Sequence, residues 1–255
     1  MIVSHNEIVT LVNKAFLGMH RETGEADLIA NMVAELQMAG LEGIRHFNNA
    51  SDYILTEQDA PIDILSDGVT EHAGAQELLT STTIVFDVHG SSIACHLPAI
   101  LDYALERMTD CPHIILDLHN CHNRWLAYGE LIKLASKGIA CVARWDNGRA
   151  PKHTLFVLNQ GHSYPELYFF DDNPSSDYRT QDLVIELSLL NFDLPTYHRD
   201  DYSHRISSEQ IIELHQQAWK SGIYVDDGEW QTLKQTATNI LVENSEQSRQ
   251  GAGGV

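Results

Sequence analysis

Two short segments hold the residue types that proton transfer and anion recognition require. In residues 43–49 (GIRHFNN), Arg45 places a permanent cation beside His46, an imidazole that titrates near neutral pH. Such a pair can hold a carboxylate and exchange a proton with a nearby hydroxyl or carbonyl. The plainer reading of the segment is a surface loop. In residues 118–128 (LHNCHNRWLAY), His119, Asn120 and His122 follow a predicted strand and lead into a predicted helix. Ligands of open α/β sheets bind beyond the carboxyl ends of the strands, so these polar side chains stand where a ligand would lie. Alternatively they only cap the next helix. Asp117, His119 and His122 are also acceptable metal ligands. Their spacing matches no standard closed site, and strand alternation need not point all three one way, so no metal is expected. A third cluster, His198, Asp200, Asp201 and His204 (HRDDYSH), reads as a solvated loop. The glycines at 251–254 lack the flanking strand, helix and Lys-Ser/Thr ending of a phosphate loop.

The elements that would position these residues read as follows. Ser4 and Glu7 form a capping box, and Ile8, Leu11, Val12, Ala15 and Phe16 follow at helical spacing. A second helix carries Ala26, Ile29, Ala30, Val33 and Leu36 and ends at Gly40, which suits a left-handed turn. The two should pair as an α-hairpin. Residues 47–80 are polar and irregular, with a short strand hinted at Ile62, Ile64 and Leu65. From residue 81 the period alternates. Strands are predicted at 82–88, 114–118 and 139–145, with helices at 97–110 and 124–137 as crossovers and Pro98 in a first helical turn. An antiparallel hairpin follows at 154–158 and 166–170, then a loop at 171–181 and a strand at 182–190. Ser207 and Gln210 cap a helix from about 208 to 220, and Trp230, Leu233, Ala237, Ile240 and Leu241 mark a last one. The fold class is therefore α/β, with a partly parallel sheet, an N-terminal α-hairpin, an antiparallel hairpin and C-terminal helices. The expected division is 1–80 helical hairpin and irregular segment, 81–195 sheet core, 196–244 C-terminal helices packing back on the N-terminal part, and 245–255 a mobile tail.

Composition narrows the partners. The 255 residues carry 16 Lys and Arg against 36 Asp and Glu, a formal charge of −20. Such a surface repels phosphate backbones and anionic membranes, so neither nucleic acid nor membrane is expected as a partner. An anionic small molecule could bind only in a locally basic pocket. No apolar run is long enough to span a bilayer. The start, MIVSHNEIV, has neither a secretory signal's basic–apolar pattern nor the Arg-rich look of a transit peptide, so a cytoplasmic location is expected. Cys95, Cys111, Cys121 and Cys141 form no C-x-x-C pair and read as reduced thiols.

The stretch IILDLHNCHNRWLAYGELIKLASKGIACVARW resembles the type-2 malate/L-lactate dehydrogenase superfamily, which includes relatives acting on sulfolactate, ureidoglycolate and cyclic imino acids. The matching positions are His122, Tyr128, Gly138 and Ile139. Upstream, FDVHGSSIACHLPAILDYALERM takes the place of the superfamily's Asp-Gly strand and next helix, with Asp87 and Ala104 fitting. Gly24-Glu25-Ala26, Gly43-Ile44 and the closing AWKSGIYVDDGEWQTL also match in order. The sequence looks like a diverged bacterial branch on that scaffold. The resemblance implies a homodimer acting on a small 2-oxo or 2-hydroxy acid with NAD(P)H. His46 would then be the acid/base, Arg45 the carboxylate partner, and His119, Asn120, His122 and Tyr128 the cofactor-binding residues. The chain also departs from the pattern. His46 falls one residue early, without the superfamily's Ser before it or Gly after it, and Asn123-Arg124 replace Phe-Gly after His122. The segment that supplies much of the superfamily's nicotinamide grip has no counterpart between Trp145 and Leu194. Two other readings therefore stand beside the dehydrogenase: a non-catalytic descendant that binds a metabolite or partner, and a non-redox enzyme using the same cleft.

Overall fold

The computed structural model describes residues 1–56, 62–73, 78–171, 181–193 and 202–238. A short strand β1 (Ile2–Val3) leads into helix α1 (His5–Gly18). The Ser4 hydroxyl accepts from the Glu7 amide at 3.3 Å, and the Glu7 carboxylate accepts from the Ser4 amide at 2.7 Å. This box satisfies donors that the first helical turn cannot pair internally. Helix α2 (Thr23–Met38) packs along α1, burying Ala26, Ile29, Ala30 and Val33 against Ile8, Val12, Ala15 and Phe16. It stops where Gly40, at φ +74°, lets the Leu41 amide reach the Leu36 carbonyl at 3.0 Å and the Gly40 amide reach Gln37 at 3.1 Å.

Residues 43–49 are not a loop. They open a third helix, α3 (Gly43–Thr56), which takes up the first part of the segment that looked irregular. Gly43 makes this possible: a Cβ there would lie 2.2 Å from the Val33 carbonyl oxygen, so only glycine lets α3 start against α2.

The main sheet contains β2 (Asp63–Ala73), β3 (Leu78–Asp87), β4 (His113–His119), β5 (Ala140–Asp146), β6 (His153–Leu158), β7 (Glu166–Phe170), β8 (Leu183–Ser188) and β9 (His204–Ile206). Its order is β2-β3-β4-β8-β5-β6-β7-β9. The three alternating strands do lie in one sheet, but only β3 and β4 pair in parallel. β8 enters between β4 and β5 and runs antiparallel to both, so most of the sheet is antiparallel. The central place suits its sequence: Leu183, Ile185, Glu186 and Leu187 are all buried, as a strand with both faces covered requires. The hairpin of β6 and β7 forms as its two apolar runs suggested.

The crossover helix α4 (Ile93–Arg107) begins four residues before the expected start, which puts Pro98 in its second turn. The expected helix at 124–137 is instead a short α5 (Tyr128–Leu131) between two 3₁₀ segments, Arg124–Ala127 and Ile132–Lys137. Helix α6 (Ser208–Ser221) carries the Ser207–Gln210 capping box, β10 (Ile223–Tyr224) pairs with β1, and α7 (Asp227–Thr238) packs on α1 and α3. The helices cover one sheet face, where Ile84, Leu116, Cys141, Trp145, Phe156 and Ile185 join the main core. Val142, Leu155, Val157, Tyr168 and Phe170 form a smaller cluster on the other face, with Phe192 and Tyr202 against it. No disulfide joins the four cysteines, and burial pushes the Cys121 thiol up to about 12. No described helix is long and apolar enough to cross a membrane. His198, Asp200, Asp201, Ile240, Leu241 and the 245–255 tail lie outside the described residues.

Candidate active site

His46, Asn49 and Tyr53 stand three and four residues apart on α3 and so share one helix face. That face meets the turn after β4. The His46 ring stacks on Trp125 with centroids 5.5 Å apart, and the Tyr53 ring stacks on His122 at 4.0 Å. Trp125 is itself fixed. Its ring stands edge-on to Trp145 at 5.1 Å, stacks with Phe169 at 6.1 Å, and its Nε1–H donates to Asn147 Oδ1 at 3.0 Å.

Beside this platform lies Arg124. Its guanidinium donates to the Cys121 carbonyl at 2.6 Å and twice to the Asp146 carbonyl, at 2.8 and 3.1 Å. Among the described residues no carboxylate pairs with it. Arg149, in the turn after β5, pairs with Glu42 at 3.8 Å. With Asn49, Asn123 and Asn147 these groups line a cleft of about 590 Å³. Glu42 and Asp146 line it too, so two cations and two carboxylates share the cleft.

Burial, together with the charges of Arg149 and Arg45, pushes His46 down to about 4. The ring is therefore neutral at neutral pH and can accept a proton. His122 is lowered in the same direction, first by burial and then by Arg124.

The other expected site residues lie elsewhere. Arg45 precedes His46 on the same helix and so points roughly 100° away from it. It lines a different cleft, of about 640 Å³, where Glu42 at 3.0 Å and Glu229 at 3.9 Å neutralise it. His119 Nε2 sits 3.0 Å from Asp117 Oδ2. The Asn120 amide donates to Asp182 Oδ1 at 3.2 Å and its side chain donates to Asp87 Oδ1 at 3.0 Å. Tyr128 is fully buried, edge-on to Phe156, and its hydroxyl finds no hydrogen-bond partner among the described residues. The structure thus brings His46 and His122 to one turn and separates them from Arg45, from His119 and Asn120, and from Tyr128. Trp125, Arg124 and Arg149 are additions. The first two stand in the segment already singled out, where Arg-Trp was the available signal. Arg149 directly follows Asp146-Asn147-Gly148, a turn-forming run in the sequence.

A dinucleotide would need donors or cations for its phosphates. Around His119 and Asn120 stand Asp87, Asp117 and Asp182 instead. These residues do not fit a pyrophosphate.

Helices packed on one face of a mixed sheet, with a histidine-bearing helix laid across the turn after a parallel strand, define an α/β fold. Residues 3–78 match the family described as "Protein of unknown function (DUF3726)". No curated protein sequence matches the chain. Solved structures do. A dehydrogenase from Sinorhizobium meliloti aligns with TM-score 0.65 and 9% identity, over 93% of this chain and 99% of that one. Malate dehydrogenase from Pyrococcus horikoshii gives 0.63 and 8%, over 95% and 96%. Sulfolactate dehydrogenase from Methanocaldococcus jannaschii gives 0.61 and 10%, over 94% and 97%. At such identities the likeness is one of fold, and it is the fold that the sequence resemblance implied.

Proposed function

We propose that the chain is an oxidoreductase-like protein that recognises a small 2-oxo or 2-hydroxy acid in the His46 cleft. The observation that carries this is the pairing, in one cleft, of a neutral imidazole with two guanidiniums, Arg124, which has no carboxylate partner among the described residues, and Arg149, which Glu42 meets at 3.8 Å. A carboxylate entering there would be held by Arg149 and Arg124, and Asn49 would supply a polar wall. His46 would take the proton of a bound hydroxyl, or return one to a carbonyl. Bringing charge and base together around one substrate is what lowers such a barrier. The bound anion would also offset the cations that depress His46, and so raise its proton affinity in the direction a donor needs.

A nicotinamide cofactor is what the scaffold suggests, yet the acidic surroundings of His119 and Asn120 argue against phosphate binding at that turn. That observation favours a second reading, in which the cleft binds its acid without turnover. Thermal shift with a panel of 2-oxo and 2-hydroxy acids, alone and with NADH or NADPH, separates the two. A shift with an acid and with a nicotinamide, together with turnover that His46→Gln abolishes, supports the oxidoreductase. A shift with the acid alone supports the binder. No shift with any acid overturns both.

A further inference from the structure

We infer that the carboxyl end of β4 is a binding site for one divalent metal ion of the zinc class, held by Asp117, His119 and Asp182. One donor atom from each of the three lies within 4.8 Å of the other two. The arrangement follows from the sheet. Asp117 and His119 are two residues apart on β4, so both project from its half-exposed face. β8 pairs Leu183 with Leu118, which brings Asp182 alongside His119. The residue just before β8, a strand that the sequence did not place in the centre of the sheet, thus supplies the third ligand. His122, which the sequence offered for that role, is turned away and stacked on Tyr53.

The donor set selects the ion. An imidazole nitrogen with two carboxylates suits a borderline ion such as zinc better than magnesium or calcium, which take oxygen throughout. Around a tetrahedral ion with bonds of about 2.0–2.1 Å, donors stand about 3.3 Å apart. His119 and Asp117 are already 3.0 Å apart, and rotation of the Asp182 carboxylate closes the rest. All three residues are partly buried, so an ion can enter and still be shielded from full solvation. The Asn120 amide holds the Asp182 carboxylate from behind, as groups behind a metal ligand commonly do. Among the described residues no lysine or arginine pairs with Asp87 or Asp117; the basic groups nearest them are imidazoles, His89 at 3.7 Å and His119 at 3.0 Å, and Asp87 also accepts from the Asn120 side chain and the His89 amide. A dication would supply the missing charge. Three protein ligands leave a position for water, as in zinc sites that act on a substrate.

The test is calorimetric titration of the full, chelator-treated chain with zinc, followed by magnesium and calcium. One zinc ion should bind with micromolar or tighter affinity, with magnesium and calcium at least tenfold weaker. His119→Ala and Asp182→Asn should each weaken zinc at least tenfold, while His162→Ala, an exposed histidine elsewhere, leaves it unchanged. Asp182→Asn keeps the acceptor for the Asn120 amide, so its metal-free melting temperature should match the wild type and report on the site alone. Absence of zinc binding overturns the inference. So does equal binding in both site variants, or an equal loss in His162→Ala.

Discussion

The imidazole of His46 lies nearly parallel to the indole of Trp125, with centroids 5.5 Å apart and planes 27° from one another. The indole is wedged between Trp145 and Phe169, so the imidazole rests on a fixed wall. That contact removes the ring from water and is the first reason its proton affinity falls.

A pH dependence of stability follows. Burial, with nearby cations, holds His46 at about 4, below its ordinary value of 6.5, and His215 is held at about 4 by burial and then by His5. As pH falls from 6.5, the unfolded chain takes up protons that the folded chain refuses. The stabilisation is complete above 6.5 and is lost as pH drops toward 4. The melting temperature should fall across this window, and the His46→Gln, His215→Gln double variant should fall less. Calorimetric scans with parallel slopes for the two proteins would contradict this.

The two arginines near the site should behave differently. Arg149 faces His46 across its cleft, whereas Arg45 is held by Glu42 and Glu229 in another. Arg149→Ala should weaken binding of a 2-oxo acid about tenfold, roughly the 1.4 kcal/mol expected of a charged contact. Arg45→Ala should leave that affinity within a factor of two. Isothermal titration decides, and the reverse ranking would place the acid in the other cleft.

Gly43→Ala should unsettle the start of α3. The new Cβ would meet the Val33 carbonyl oxygen at 2.2 Å and the Gln37 amide at 2.8 Å, and backbone cannot step aside as a flexible side chain can. A loss of about 1–3 kcal/mol is expected, the usual range for overpacking. Acid binding should weaken as well, because His46 rides on the same helix. Urea denaturation measures the first effect and titration the second.

Tyr128→Phe should be nearly silent. The hydroxyl is buried without a partner among the described residues, so its removal gives up no hydrogen bond and relieves a desolvated polar group. Stability should rise or stay within about 0.5 kcal/mol. Ligand shifts should match the wild type. A selective loss of a nicotinamide shift would instead restore Tyr128 to the cofactor role that the resemblance gave it.

The sequence by itself determined what depends on neighbours along the chain. Both capping boxes, Ser4–Glu7 and Ser207–Gln210, are three-residue relationships and appear as read. So do the Gly40 stop and the strands at 82–88, 114–118 and 139–145, whose period is local. The segment holding His46 was singled out, but its shape was not. A loop would have let Arg45 and His46 face one cleft. A helix turns consecutive residues about 100° apart and sends them to two. That helix exists because Gly43 can touch the backbone of α2, a contact between residues ten apart that no local pattern reports. The place of β8 was equally out of reach. Its apolar run says that it is buried, but strand pairing is set by which edges meet after collapse, and β8 meets β4 and β5 across long loops. Only the tertiary structure could therefore bring Asp182 beside Asp117 and His119, or Arg149 across the cleft from His46, because each pairing joins residues whose separation in sequence carries no signal of their distance in space.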